Sequence, residues 1–315
     1  MLSYLVRRIV LLVFVLFGVS IITFALMHVV PGDHARLVAI YRWGYDDFSS
    51  QELSMVRREI GADMPVWRQY AWWLGHVARG DLGYSFVTKR PVTAEILARV
   101  PATLELAAAG FLLTVLIAVP LGIACARRPS SWFDNLVMIG SLVGVAMPNF
   151  WLGLLLILIF SLTLNLLPVA GGGGPAHLIL PAVTLGVGMA AVSTRIVRAS
   201  LLEVLEQDYI TMARIKGLGE GAVLWRHALR NALIPVVTVL GLQFNHLIGG
   251  TVIVENIFGR PGVGQLIVEA IESRDLPVLQ GGVLFLAFCF ALVNLLIDLS
   301  YAFLDPRIRY GGSDG

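Results

Sequence analysis

The sixty residues Asn135–Thr194, NLVMIGSLVGVAMPNFWLGLLLILIFSLTLNLLPVAGGGGPAHLILPAVTLGVGMAAVST, contain no Asp, Glu, Lys or Arg. A helix needs about 20 apolar residues to cross a hydrocarbon core of about 30 Å. Sixty uncharged residues are too many for one such helix and suit two. The break is expected where Pro168 is followed by Gly171–Gly174 and Pro175, giving spans near 135–166 and 178–199. Pro148, inside the longer span, predicts a kink or a break there, because proline has no N–H and its ring clashes with the preceding turn.

Four more spans flank this pair. The first runs from Ile9 to Val30, between Arg7-Arg8 and Pro31-Gly32-Asp33. It is longer than a signal-peptide core and no small-residue cleavage site closes it, so it is read as a retained span. The second covers about Leu104–Ala126 and stops at Arg127-Arg128-Pro129. The fifth covers 232–254 and the sixth 279–303, ended by Asp305-Pro306. Composition agrees. Of 315 residues 57% are hydrophobic and 14% charged, against about 25% charged in a soluble domain, and mean hydropathy is +0.80. A soluble globule and a disordered chain are both excluded. The net charge of +2 gives no reason to expect nucleic acid as a partner; the lipid bilayer is the expected surrounding.

Orientation follows from basic residues near span ends. With the amino terminus inside, the inner segments carry Arg7, Arg8, Arg127, Arg128, Arg195, Arg198, Arg214, Lys216, Arg226, Arg230, Arg307 and Arg309. The outer segment 256–278 carries only Arg260 and Arg274. Six spans with both termini cytoplasmic are expected. Chain organisation then reads as tail and first span (1–31), external helical subdomain (32–99), five-span core (100–306) and cytoplasmic tail (307–315).

Two polar segments stand out. In 200–235, Leu201, Leu205, Tyr209 and Met212 recur at helical spacing, as do Leu224 and Ala228. Two short amphipathic helices broken at Gly217-Leu218-Gly219 fit this pattern, serving as a partner surface or resting on the lipid interface. In 32–99, Trp67, Trp72 and Trp73 suit an interface anchor, a docking face or both.

Polar groups inside spans carry alternatives. Glu105 suits a snorkelling or capping role or a substrate contact. Asn294 and Asp298, one turn apart on span six, pair with another helix or meet cargo. Asn245 and His246 can line a path. Asn149 beside Pro148 can satisfy carbonyls freed at the kink. Cys125 and Cys289 lie in apolar runs, and the six histidines lack ligand spacing, so no metal site is expected. Lys89 and Lys216 are the only lysines and neither sits in a Gly-x-x-x-x-Gly-Lys-Ser/Thr loop, so no ATP site is expected in the chain.

The run Asp208-Tyr209-Ile210-Thr211-Met212-Ala213-Arg214-Ile215-Lys216-Gly217-Leu218, followed by His227-Ala228-Leu229-Arg230-Asn231-Ala232-Leu233-Ile234-Pro235, resembles the coupling loop of bacterial ABC importer permeases of the dipeptide/oligopeptide/nickel branch. Further matches follow in order: Tyr4 to Arg8, Val30-Pro31-Gly32-Asp33, Pro91-Val92, Pro101-Ala102-Thr103-Leu104-Glu105-Leu106, Met147-Pro148-Asn149-Phe150 and Ile179-Leu180-Pro181-Ala182. After these come Gly249-Gly250-Thr251, Val254-Glu255, Pro261-Gly262-Val263-Gly264, Asp275-Leu276-Pro277-Val278 and Leu304-Asp305-Pro306-Arg307-Ile308-Arg309. The sequence departs from the pattern at His34, where many members have Pro, and at Thr211-Met212-Ala213, where the wider superfamily has Glu-Ala-Ala.

The resemblance implies an all-α, six-span type I importer permease fold in the bacterial inner membrane. It implies a second homologous permease, two ATP-binding subunits carrying ATP and magnesium, and an extracytoplasmic substrate-binding protein as partners. The chain itself would be no enzyme and hold no cofactor. Coupling to the ATPases would run through residues 203–222 of the cytoplasmic loop 200–231, with Glu206, Asp208, Tyr209, Ala213, Arg214, Lys216, Gly217 and Leu218 at the contact. Asn149, Asn245, His246, Glu255, Asn294 and Asp298 are the candidates for the translocation path. Cargo is expected to be a di- or oligopeptide, with nickel, a metal chelate or glutathione as alternatives. An ion-gradient transporter is the rival class: it would show internal repeats, none is found, and Asp298 is its only candidate coupling carboxylate.

Overall fold

The computed structural model describes residues 2–29, 34–43, 47–59 and 61–304. The Val30-Pro31-Gly32-Asp33 stretch, Asp305-Pro306 and the 307–315 tail lie outside the described residues, as do the side chains of Asn245 and Asp298. Among the described residues the structure is helical, apart from one isolated antiparallel bridge between Tyr84 and Pro91. The helices are α1 (Leu2–Val29), α2 (His34–Trp43), α3 (Ser50–Glu59), α4 (Val66–Val77), α5 (Val92–Arg127), α6 (Trp132–Ala146) and α7 (Asn149–Leu156). They continue with α8 (Ala176–Leu205), α9 (Asp208–Ile215), α10 (Glu220–Ala222), α11 (Leu229–Ile257), α12 (Val263–Glu272) and α13 (Leu276–Leu304). Wider π-type turns extend α7 over Ile157–Thr163 and join α10 to α11 over Val223–Ala228.

Four stretches among the described residues are single helices long and apolar enough to cross a bilayer: Leu5–Ala25, Val92–Arg127, Ala176–Leu205 and Leu276–Ile297. The count reaches six when two bent pairs, Trp132–Ala146 with Asn149–Thr163 and Glu220–Phe244 with His246–Ile257, are each taken as one crossing. Pro148 does more than kink its span. The two pieces meet at 107°, because Met147 takes an extended backbone (ψ 120°) before Pro148, as the residue preceding a proline is pushed to do. Other boundaries also moved. The helix that carries the second span begins at Val92, twelve residues before Leu104, so residues assigned to the external segment form its first turns. The second amphipathic helix expected after Gly219 is not separate; it is the entry to α11.

The chain divides into two compact units by packing rather than by polarity, Met1–Pro101 with Gly262–Gly315, and Ala102–Pro261. In the first, α1 packs on α13, α12 on α13 and α2 on α3. Its core gathers Val92, Ile96, Val263, Leu266, Ile267, Ala270 and Val278, with a smaller cluster of Ala35, Ala39 and Val56. Asp275, buried just before α13, organises the loop after α4. Its carboxylate accepts from Ser85 Oγ and from the backbone N–H groups of Phe86 (3.1 Å) and Val87 (3.4 Å).

In the second unit α8 is central, packing on α6, α7 and α11. Small residues bring α5 against it: a Cβ at Gly122 would lie 2.5 Å from Val197 Cβ, so only glycine permits this approach. Thr114 Oγ1 donates to the carbonyls of Gly110 (2.9 Å) and Gly186 (3.2 Å) at the same interface. At the other end of the unit, Arg260 donates to Glu105 and to the Ala102 carbonyl. Glu105 is thereby paired within the chain.

One contact that no local pattern announces fixes α6 to α8. Arg198 grips the buried Asp134 with both arms, Nε to Oδ1 at 2.6 Å and Nη2 to Oδ2 at 2.7 Å. Asp134 also caps its own helix, accepting from Ser130 N–H (2.8 Å) while Ser131 Oγ accepts from Asp134 N–H (3.2 Å), a capping-box arrangement. Removing one member of a buried pair costs about 3–5 kcal/mol, whereas an apolar replacement of both is close to neutral. Asp134→Ala or Arg198→Ala should therefore sharply lower the thermal transition of the detergent-solubilised protein. The double change Asp134→Leu with Arg198→Met should recover most of the loss.

Candidate functional site

The segment between α8 and α11 is built as a short bracket. α8 ends at Leu205, and Glu206 and Gln207 turn the chain into α9. Asp208 opens α9, where a carboxylate opposes the positive end of the helix dipole. Ile210 and Ala213 are the buried residues of α9. They enter the cluster of Leu201, Val223, Leu224, Ala228 and Ala232, so α9 is seated on the ends of α8 and α11. The periodicity read across Leu201, Leu205, Tyr209 and Met212 does not make one face. Leu201 is buried on α8, while Tyr209 and Met212 point to solvent on α9.

α9 exposes an apolar row beside the polar Asp208, Thr211 and Arg214. Tyr209, Met212 and Ile215, spaced three apart, are 43%, 54% and 73% exposed, and Leu218 continues the row. Tyr209 Oη accepts from Asn231 Nδ2 at 2.8 Å, fixing the ring to α11. The helix ends in a Schellman cap. Gly217 sits at φ +83°; its N–H bonds the Arg214 carbonyl (2.9 Å), and Leu218 N–H bonds that of Ala213 (3.3 Å), the 5→2 and 6→1 pattern of that motif. Arg214 then reaches over the turn to Glu220, Nε to Oε1 at 2.8 Å. Glu206, Asp208 and Lys216 are exposed at the bracket's edges. Of the residues expected at the contact, Glu206, Asp208, Tyr209, Arg214, Lys216, Gly217 and Leu218 are exposed, whereas Ala213 faces inward. Met212, Ile215 and Glu220, not among those expected, are exposed beside them.

Residues 118–310 match the family described as binding-protein-dependent transport system inner membrane component, and residues 1–107 match the N-terminal part described for the same systems. The chain belongs to this family. The glutathione transport system permease protein GsiC of Escherichia coli O6:H1 is 42% identical over 310 residues, covering 98% of this chain and 100% of that protein. The dipeptide transport system permease protein DppB of Alkalihalophilus pseudofirmus is 40% identical over 338 residues, with the same coverage of 98% and 100%. Two solved chains share the fold. One, from the inward-facing MetNI methionine ABC transporter, has a TM-score of 0.56 at 19% identity, covering 67% of this chain and 96% of that one. The other, from an amino acid ABC transporter with histidines, has a TM-score of 0.53 at 15% identity, covering 68% and 94%. This permease is therefore a multi-pass membrane component of a binding-protein-dependent transport system.

The polar residues singled out in the spans fall in different settings. Asn149, the first residue of α7, makes no side-chain hydrogen bond to any described residue and does not serve the carbonyls at the break. Its amide instead lies against two glycines: a Cβ at Gly188 would be 3.6 Å from Asn149 Oδ1, and one at Gly250 3.6 Å from Nδ2. Glu255 is enclosed completely, so it lines no open passage in this structure. His246 is exposed on α11 and Asn294 on α13. No group of three or more His, Cys, Asp or Glu side chains able to hold a metal occurs among the described residues.

A side chain at Gly217 would meet open space, so its φ alone sets the cost of substitution. That cost is about 1–2 kcal/mol for an ordinary residue and less for Asn. Gly217→Val should speed hydrogen exchange across 208–219 while leaving the thermal transition of the spans in place. Gly217→Asn should exchange like the parent protein.

Proposed function

We propose that this chain is the permease half of an ATP-driven importer of short peptides, and that α9 is the element through which separate ATP-binding subunits move it. The observation that carries this reading is the apolar row Tyr209, Met212 and Ile215, displayed on a helix clamped to α8 and α11, with Leu218 exposed in its cap. Exposed apolar side chains held rigid on the water side of a membrane protein suit burial in a partner's groove. The basic residues around the bracket support placing it, and both termini, on the cytoplasmic side.

The assembly we infer contains a second permease of the same kind, two ATPase subunits holding ATP and magnesium, and a binding protein that delivers cargo from outside. Closure of the ATPases pushes α9, and because α10 runs without a gap into α11, the push enters a span directly. The spans then tilt between inward-open and outward-open. Peptide cargo is favoured because the two relatives are named for glutathione and for dipeptides, both short peptides; nickel or a metal chelate is the alternative. The break at Met147-Pro148 supports a path near Asn149. Non-helical backbone at membrane depth is tolerated only where protein covers it or water lines it.

Burying one apolar side chain of this size contributes about 1.5–3 kcal/mol. Ile215→Ser should thus weaken retention of the ATPase subunits about ten- to hundredfold, with uptake falling in step and the permease remaining folded. Proteoliposomes containing the whole assembly should take up labelled dipeptide or glutathione only with ATP and loaded binding protein. Uptake that follows an imposed ion gradient without ATP would overturn the reading and direct attention to Asp298. Uptake of nickel in place of either peptide would overturn the cargo alone.

A further inference from the structure

Helix α4 belongs to the segment between the first two spans, yet it packs on the part of α1 that is long and apolar enough to cross the bilayer. Tyr70 Oη and Ser20 Oγ are 2.8 Å apart. The Tyr70 ring lies 6.3 Å from Phe17 and 5.3 Å from Phe24, and Trp73 lies 5.6 Å from Phe24. With Arg7 and Arg8 outside the core, the apolar stretch of α1 runs from Ile9 to the helix end at Val29, about 31 Å long at 1.5 Å per residue, which matches the hydrocarbon thickness. Ser20 is nine residues inside its end, a depth of about 13–14 Å. The inner face of α4 therefore meets α1 below the level of the headgroups.

The outer face of α4 suits the same depth. Trp67 is 65% exposed and Trp72 53%, with Val66 also exposed, and no residue of α4 is fully buried. Ala71 and Gly75 complete this face. Val66–Val77 contains no acidic residue. Its one arginine, Arg68 in the first turn, stacks its guanidinium 5.0 Å from the Trp67 ring, a stance that lets a charge reach headgroups while its stem stays in apolar surroundings. The neighbouring surface of α1 is lipid-like as well, with Phe14, Phe17, Ile21 and Ile22 exposed.

We propose that α4 is embedded in the leaflet at the carboxyl end of α1, with Trp67, Ala71 and Trp72 against lipid, so that this end of the permease is anchored by a helix that does not span. The occupant of the exposed face is the bilayer and not the binding protein, because the contacts at Phe17 and Ser20 fix its depth.

The test uses the whole assembly in nanodiscs of phosphatidylcholine and phosphatidylglycerol. In a background carrying Cys125→Ala and Cys289→Ala, a spin label is placed at Ala71→Cys or at Asp63→Cys, an exposed position before α4. Site 71 is expected to collide with oxygen severalfold more often than site 63 and with a water-soluble nickel chelate severalfold less, unchanged by loaded binding protein. Equal nickel-chelate access at both sites would overturn the proposal, as would shielding of 71 by the binding protein. Low access of both reagents at 71 would assign the face to a partner subunit and overturn it too. A second measurement avoids new cysteines. With brominated phosphatidylcholine, replacing Trp67 and Trp72 by Phe should remove quenched emission; loss of only unquenched emission would refute lipid contact.

Discussion

A bilayer offers no hydrogen-bond partner to a peptide group, and each unsatisfied N–H or C=O there costs several kcal/mol. The architecture of this permease follows from that constraint. Every crossing is helical, and the chain leaves the helix only where something other than lipid can meet it. Met147-Pro148 is the clearest case. Proline removes a donor and pre-proline sterics disfavour the α conformation at Met147, and here the span breaks and turns through 107°. The opened backbone at Met147 must then be met by protein or by water, whereas Pro120, Pro181 and Pro235 lie within continuous helices.

The same constraint governs charge. Two carboxylates near span ends are held by arginines: Asp134 by Arg198, and Glu105 by Arg260. Asp275, just outside the last span, spends its lone pairs on three donors of one loop. Each pair ties chain segments far apart in sequence. Apolar packing supplies the bulk of the contact but little direction, since lipid tails are as apolar as leucine. The polar pins choose which helix lies beside which.

How much of this was legible varies with the range of the interaction involved. The spans were legible because hydropathy is a local sum, and the uncharged run Asn135–Thr194 fixed two of them before any contact was known. The break at Pro148 was legible in position, since it depends on two adjacent residues, but its angle depends on what α7 packs against. The capping of α6 was written in Ser131-Trp132-Phe133-Asp134; the grip of Arg198 on that same aspartate was not, because it joins residues 64 apart. The bracket at α9 failed in a different way. Helical spacing was carried across Glu206-Gln207, where the chain turns, so residues of two helices were assigned to one face. The end of the helix at Gly217-Leu218-Gly219 was legible from its glycines, whereas the outward placing of Met212 and Ile215 depends on Ile210 and Ala213 facing in.

The pairing of Asp134 with Arg198 also bears on how the chain is made. Ribosomes add about 5–20 residues per second, so the carboxylate leaves the tunnel roughly 3–13 s before its guanidinium. Throughout that interval α6 is present and α8 is not. Within this stretch the backbone N–H of Ser130 meets the carboxylate and Ser131 Oγ accepts from the Asp134 N–H, and these bonds hold the aspartate at the helix end, where headgroups and water remain accessible. When α8 arrives, its arginine completes a site that already has a shape. The capping motif thus acts as a chaperone in cis, keeping a charge acceptable to the membrane until the residue meant for it has been synthesised.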